Sequence, residues 1–212
     1  DADAVIVGQV AADPACGFAI TTGVTSTGGQ VELRAATNID IQQAISAATA
    51  VRLQAAAGTV TQLAAGTITA TDLSVQANGL IDLCVSANNN VATFAGTSAT
   101  GSVLYRDTNS VAVGAVAGGT CVTAAQTGVT ATAANQSIEL RAGGTLTLNN
   151  KVEVQAANGT IRLQGDTSVS QAVAGNVVGQ NLSVQSAGLI NLCDAATNNV
   201  AIFAATSTAG TV

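Results

Sequence analysis

The chain has 212 residues and a formal net charge of −6, and although 48% of it is hydrophobic, only 2% is aromatic and Met, Trp and His are absent. A core made of small aliphatic side chains must be thin, which favours closely spaced β layers or a narrow solenoid and disfavours a globular α/β enzyme. A charged content of only 8% argues against acidic disorder, six unclustered basic residues argue against nucleic-acid binding, and no apolar run is long enough for a transmembrane helix.

Short alternating strands are predicted along the whole chain. In chain order, the clearest of them start at Val31, Val51, Leu73, Ile138, Ile161 and Leu182. Strict alternation directs one side chain inward and the next outward, while Gly, Asn, Thr and Ala fill the corners between strands. A spacing of about 20 residues per turn is typical of a parallel β-helix. Residues 39–57 could form a helix on propensity alone, but the alternation Ile39-Asp40-Ile41 favours strands.

The chain is a double repeat. Residues 79–84 (GLIDLC) recur as residues 188–193 (GLINLC), and other segments recur with similar fidelity. Matched residues lie roughly 105 to 110 positions apart, which is the signature of a repeat architecture. We therefore predict an all-β protein with two solenoid repeats, residues 1–103 and residues 104–212.

The two ends of the chain resemble its middle. Residues 103–114 read as strand, turn, strand, with Asp-Thr-Asn as the turn, so we expect a hairpin or long-loop insertion in each repeat. Joined tail to head, the chain ends rebuild much of the same pattern. We therefore predict an end-to-end junction at which residue 212 leads into residue 1 of another copy and the array continues. Its residues are Asp1, Ala2, Asp3, Thr211 and Val212.

The register of the predicted coils brings opposite charges together. It aligns Glu32 with Arg52 and Glu139 with Arg162, each pair one coil apart at the strand spacing of ~4.8 Å. Opposite charges on neighbouring strands favour pairing, although exposed pairs contribute only about 0–1 kcal/mol each. This inter-coil charge ladder is therefore expected to fix the register rather than to supply much stability.

Segments such as residues 144–148 (GTLTL), 159–163 (GTIRL) and 188–192 (GLINL) resemble those of filamentous-haemagglutinin-like bacterial surface proteins. Those proteins are very long chains of similar segments separated by Ala, Asn and Gly, and the resemblance covers most of this chain. It implies a right-handed parallel β-helix, export to the cell surface, and a role in adhesion, matrix or sheath formation. Such proteins are often poor in cysteine, and this chain departs from them with four cysteines.

The cysteines occupy repeat-matched positions, because Cys16 corresponds to Cys121 and Cys84 corresponds to Cys193. Without His and without a C-x-x-C motif, no metal site is expected. Free, buried cysteines are one alternative, but disulfides are favoured in an exported protein. The shortest spans predict one bond between Cys84 and Cys121, and another between Cys193 and the Cys16 of a following copy.

The same residues argue against catalysis. The absence of His closes Ser-His and Cys-His nucleophilic schemes. Asp40, Asp72 and Asp82 have no carboxylate counterparts in the second repeat, so paired-carboxylate glycan cleavage is not supported, and we expect no enzyme activity and no cofactor.

The leading functional hypothesis is a structural building block of a secreted, extracellular or cell-surface fibre, in which tandem repeats stack end to end and other copies of the chain are the partners. Surface glycans and neighbouring filaments are further candidate partners. The alternative is the stalk of a large secreted adhesin that presents a separate binding domain.

Overall fold

The computed structural model describes residues 3–11 and 20–212. All regular elements in these residues are β-strands, which confirms the all-β prediction. The strands, in chain order, are β1 (Val5–Val7), β2 (Gln9–Val10), β3 (Thr21–Thr22), β4 (Val24–Ser26), β5 (Val31–Ala35), β6 (Ile39–Ile41), β7 (Ile45–Ala47), β8 (Ala50–Ala55), β9 (Val60–Gln62), β10 (Ile68–Ala77), β11 (Ile81–Leu83), β12 (Asn90–Ser98), β13 (Val103–Asp107), β14 (Val111–Val113), β15 (Ala115–Val116), β16 (Gln126–Thr127), β17 (Val129–Ala131), β18 (Ser137–Ala142), β19 (Thr145–Leu148), β20 (Val152–Val154), β21 (Thr160–Gly165), β22 (Ser168–Gln171), β23 (Val177–Ser186), β24 (Ile190–Asn191) and β25 (Asn199–Ser207). No helix in residues 3–11 and 20–212 is long and apolar enough to cross a membrane.

The strands stack in parallel into about eight coils of a β-solenoid, with about 22 residues per turn instead of the 20 predicted. Each coil has three sides, which generate three stacked faces along the axis. Face 1 contains β1, β6, β9, β11, β13, β18, β21, the second half of β23 and that of β25. Face 2 contains β4, β7, the first parts of β10 and β12, then β14, β19, β22 and β24. Face 3 contains β5, β8, the second parts of β10 and β12, then β17, β20 and the first parts of β23 and β25.

The core is a set of inward ladders of aliphatic side chains. On face 3, Val31 lies opposite Val51, which lies opposite Leu73, and both Val51 and Leu73 are fully buried. Burying such a side chain contributes roughly 1.5–3 kcal/mol relative to leaving it in water, so the ladders supply the main stabilisation. The core also holds Phe94 and Tyr105, whose rings are stacked with centroids 4.1 Å apart.

The two repeats are rotated relative to each other by one face. Glu32 lies on face 3, in β5, whereas its sequence counterpart Glu139 lies on face 1, in β18. Each coil has three sides, and a repeat consists of a whole number of coils plus one additional side. The next repeat therefore begins one face further around the axis. Equivalent surfaces of successive repeats therefore point in different directions around the axis.

The hairpin predicted in residues 103–114 is wrong in detail. β13 and β14 do not pair with each other, because β13 pairs in parallel with β11 and β18, and β14 pairs in parallel with β12 and β19. The turn residues Asp107 to Asn109 instead form a corner of a coil. In the part of the chain that the structure describes, the antiparallel hairpins are β2–β3 in the first repeat and β15–β16 in the second. Solenoid corners and hairpin turns use the same small polar residues, which explains the error.

Candidate functional site

The β15–β16 hairpin folds back from the second repeat over face 3 of the first. Its base is closed by a hydrogen bond from the Gly128 N–H to the Gly114 carbonyl at 2.8 Å. Gly128 has a φ of +72°, and a Cβ there would lie 2.2 Å from the Lys151 carbonyl oxygen, so only glycine fits. From this base the hairpin crosses β12 and β10, and its loop reaches β8 and β5.

Glu32 anchors the loop of this hairpin. Its carboxylate accepts hydrogen bonds from the backbone N–H groups of Thr120, Cys121 and Val122, at 3.0, 2.6 and 2.9 Å. Only 7% of the Glu32 side chain is exposed. Hydrogen bonds to an ionised acceptor are about twice as strong as neutral ones, so a single carboxylate holds the loop in place.

Arg52 provides a second anchor beside Glu32. Its Nε donates to the Ala117 carbonyl at 2.7 Å, its Nη1 donates to Gln30 Oε1 at 2.6 Å, and Nη1 lies 3.9 Å from Glu32 Oε1. The parallel register places Arg52 directly opposite Glu32, as the spacing predicts. The pair therefore does more than fix register, because both side chains bind the backbone of the hairpin.

The hairpin buries apolar and polar groups where it lies on face 3. Val116 and Val122 are nearly fully buried, and Gln126 accepts a hydrogen bond from the Thr97 hydroxyl at 2.7 Å. Ser74 is also buried there, and its hydroxyl lacks a hydrogen-bond partner within the described part of the chain. The contact thus combines anchoring hydrogen bonds at the loop with packing along the hairpin.

The pKa of Glu32 reports on this contact. The Val122 N–H, and after it those of Thr120 and Cys121 together with the Arg52 charge, hold the pKa of Glu32 below its usual value, while burial opposes the shift. The folded pKa is depressed, so the stabilisation is present above the ordinary pKa of about 4.3 and is lost as the pH falls through the lower folded value. The docked hairpin should therefore open progressively in acid.

Replacing Glu32 with Gln is expected to release the hairpin. An amide carbonyl accepts less strongly than a carboxylate, and its NH₂ group faces the N–H donors, so the free energy of opening should fall by about 2 kcal/mol. Hydrogen exchange at the amides of residues 120–122 measures this directly. The matched control is Glu139→Gln in the monomeric protein, which should leave that exchange unchanged. Equal protection in wild type and Glu32→Gln would contradict the anchoring role.

The equivalent face of the second repeat is uncovered. Glu139 and Arg162 lie opposite each other and form a 2.7 Å ion pair, as the spacing predicts, but 47% and 53% of their side chains are exposed. A groove of about 310 Å³ runs beside this pair. Its lining residues are Cys84, Tyr105, Arg106, Glu139, Leu140, Arg141, Arg162, Leu163, Gln164, Ser183 and Gln185.

The two strands of the β2–β3 hairpin in the first repeat are exposed as well. It pairs Gln9 with Thr22, as β15–β16 pairs Ala115 with Thr127, and Gly23 at its base has a φ of +69°, close to that of Gly128. Its exposure is very different: Val10 is 70% exposed, whereas the counterpart Val116 is 2% exposed. Within the described residues, one hairpin is docked on its face, while the strands of the other hairpin and the equivalent face of the second repeat are exposed.

The predicted disulfide between Cys84 and Cys121 is wrong, because both are free, as is Cys193. Cys121 lies on Glu32 at face 3, while Cys84 follows β11 on face 1 and its Sγ contacts Asp82 Oδ1 at 3.0 Å. Burial, and then Asp82 and Glu139, raise the pKa of the Cys84 thiol to about 11. The spacing argument failed because the loop carrying Cys121 folds away from Cys84. Cys16 lies outside the described residues, so the predicted bond to a following copy stays a prediction.

Among the predicted junction residues, Asp3 lies at one end of the stack, and Thr211 and Val212 lie at the other. The Asp3 carbonyl accepts a hydrogen bond from Thr37 N–H at the amino-terminal coil, and the Thr211 carbonyl accepts one from Ile190 N–H at the carboxy-terminal coil. Val212 is exposed beside Thr211, whereas Asp1 and Ala2 lie outside the described residues. Joining of copies through these residues stays a prediction.

Sequence reasoning missed one buried polar cluster. Asn89, fully buried, accepts hydrogen bonds from Ile68 N–H at 2.9 Å and Gln62 Nε2 at 2.6 Å, and its own amide lies 3.0 Å from the Leu83 carbonyl. Asn198 and Gln171 repeat this arrangement in the second half of the chain. The recurrence of the Asn-Asn-Val segment was a signal that could have identified this cluster.

Searches of protein-family models, curated proteins and solved structures find no match to this chain.

Proposed function

We propose that this protein is a structural building block of a secreted, extracellular or cell-surface fibre in which β-solenoid repeats stack end to end. One observation carries the proposal. The strands at the two ends of the stack are the sequence counterparts of strands that pair with each other inside the chain, where the first repeat meets the second. The chain acts as scaffold, other copies are its partners, and no catalytic role is assigned. The resemblance to filamentous-haemagglutinin-like surface proteins points to the same class of function.

The internal contact joins the end of the first repeat to the start of the second. There β12 pairs with β14 and β17, with Phe94 opposite Val113 and Gly96 opposite Val129. The sequence counterpart of β12 is β25, and the counterparts of β14 and β17 are β1 and β4. Stacking a second copy on the carboxy-terminal end would therefore pair β25 of one copy with β1 and β4 of the next. This pairing would repeat the internal pairing of β12 with β14 and β17.

The carboxy-terminal end carries an apolar surface that suits such stacking. Phe203 is 50% exposed there, whereas its counterpart Phe94 is 1% exposed inside the stack, and Leu189 and Val212 are also exposed. In the described residues, β25 pairs only with β23, and β1 pairs only with β6. Unpaired strand edges of this kind are templates for pairing with another chain. A head-to-tail contact that stacks copies along one axis cannot close into a ring, so it generates filaments.

The test is self-association of the purified chain, followed by sedimentation velocity and electron microscopy. We expect unbranched filaments with an axial repeat of about 40 Å, since about eight coils stack at the strand spacing of 4.7–4.9 Å. Phe203→Asp should weaken association by about 100-fold or more, because burying an unpaired carboxylate at the junction costs several kcal/mol.

The matched control is Val173→Asp, which places the same charge at an exposed position away from the ends of the stack. It should associate as the wild type does. A wild-type chain that stays monomeric at every concentration, or Phe203→Asp filaments equal in length to wild-type filaments, would overturn the proposed assembly. A monomer carried on a larger polypeptide with a distinct binding domain would favour the adhesin stalk.

A further inference from the structure

We propose that the β2–β3 hairpin of a second copy docks on the Glu139–Arg162 face of this chain and clamps the two copies together. The inference rests on the proposed function and specifies a lateral contact, separate from the pairing of strand edges. The occupant is another copy of this chain, because the chain itself shows the corresponding hairpin seated on the corresponding face.

The receptor is the exposed surface of β18, β21 and β23 on face 1. It repeats the groups that hold the docked hairpin, with Glu139 in place of Glu32 and Arg162 in place of Arg52. The flanking rows also match, because Gln164 lies opposite Gln185 as Gln54 lies opposite Gln76. A carboxylate and a guanidinium are therefore presented in the same register, with the groove beside them open.

The hairpin supplies the complementary half. In the docked hairpin, Val116 is buried and the Ala117 carbonyl accepts a hydrogen bond from Arg52. In the free hairpin the corresponding residues are Val10 and Ala11, and both are exposed. The loop residues that correspond in sequence to 120–122 are residues 15–17, which lie outside the described residues.

The rotation between repeats directs the hairpin to the correct face. The hairpin of the second repeat lies on face 3 of the first repeat. Since each repeat is turned by one face, the hairpin of a following copy would lie on face 1 of the second repeat, where Glu139 and Arg162 are located. Docking and end-to-end stacking are thus compatible with one arrangement of the copies.

The test compares Glu139→Gln with Glu153→Gln in self-association of the full chain. Both variants remove the same charge, but Glu153 lies on face 3 and pairs with Lys151, away from the groove. We expect Glu139→Gln to weaken association about 10-fold or more and to remove the assembly-dependent hydrogen-exchange protection of residues 15–17. Glu153→Gln should associate as the wild type does.

A proximity readout uses the native cysteines. Cys84 lines the groove beside Glu139, and Cys121, the counterpart of Cys16, binds Glu32 in the docked hairpin. Copper-phenanthroline with oxygen oxidises two thiols to a disulfide, releasing two protons and passing two electrons to oxygen. In assembled protein this treatment should link Cys16 of one copy to Cys84 of its neighbour, whereas the bond predicted from spacing would give a Cys16–Cys193 peptide; peptide mass spectrometry distinguishes the two. Cys84→Ser should abolish that linked peptide.

The outcomes separate this inference from the proposed function. Filaments that form equally well in Glu139→Gln, without a Cys16–Cys84 peptide in the wild type, would overturn the docking contact and leave the fibre intact. Loss of association in Phe203→Asp but not in Glu139→Gln would likewise overturn the docking contact and leave the end-to-end stacking intact. A wild-type chain that never associates would overturn both.

Discussion

Phe94→Ala is expected to destabilise the centre of the solenoid by about 3–5 kcal/mol, the usual cost of emptying a buried aromatic site. Phe94 is 1% exposed and stacks on Tyr105, and the remaining core is built of small side chains that cannot expand to fill the space. The effect should be local, because each coil contacts mainly its neighbours. Hydrogen exchange at the amides of β12 and β13 measures the free energy of opening.

The repeat offers a matched control for this substitution. Phe203 occupies the equivalent position in β25 but is 50% exposed at the end of the stack. Phe203→Ala in the monomer should therefore cost about 1 kcal/mol or less, since much of its surface is already in water. Similar losses for the two variants would show that the stacked pair does not hold the central coils together.

Asn89→Ala is expected to cost about 3–5 kcal/mol, because it leaves several buried polar groups without partners. The Ile68 N–H and the Leu83 and Arg106 carbonyls all lie within hydrogen-bond distance of the Asn89 amide, as does Gln62. These groups belong to three successive coils, so the Asn89 side chain links the three coils at one corner. Chemical denaturation, with exchange at Ile68 N–H as the local probe, would measure the loss.

Two other asparagines provide controls for Asn89→Ala. Asn90 is exposed, and its replacement by Ala should change stability by no more than about 0.5 kcal/mol. Asn198 makes the equivalent contacts with Gln171 and Val177, but at an exposed position near the end of the stack. Water can replace its partners, so Asn198→Ala should cost less than Asn89→Ala. A reversed order would contradict the role assigned to burial.

Much of the fold could be predicted because it depends on local patterns. Alternation such as Val31 to Ala35 specifies which side chains face inward, and recurrence of that pattern specifies stacking in parallel. Once stacking is in register, Glu32 must lie opposite Arg52, and Glu139 opposite Arg162. The coils contain about 22 residues rather than the predicted 20, because the number of corner residues can vary without disturbing the inward ladder.

The candidate site could be predicted only in part. The spacing predicted that Glu32 lies opposite Arg52, but it could not predict the hydrogen bonds of these two side chains to residues 117–122. Residues 103–114 carry the turn chemistry of a hairpin and form a corner, while the true hairpins begin at Gln9 and Ala115. The pairing of Cys84 with Cys121 failed for a related reason, since spacing along the chain does not say in which direction a loop folds.

The sequence by itself determined the alternation, the double repeat and the register of the charged pairs, because each depends on a strand and its immediate neighbours. Only the tertiary structure decided that the second hairpin covers the first repeat and that the equivalent face of the second repeat stays open. That outcome depends on the rotation accumulated over every corner of a repeat, which places Glu32 on one face and Glu139 on another.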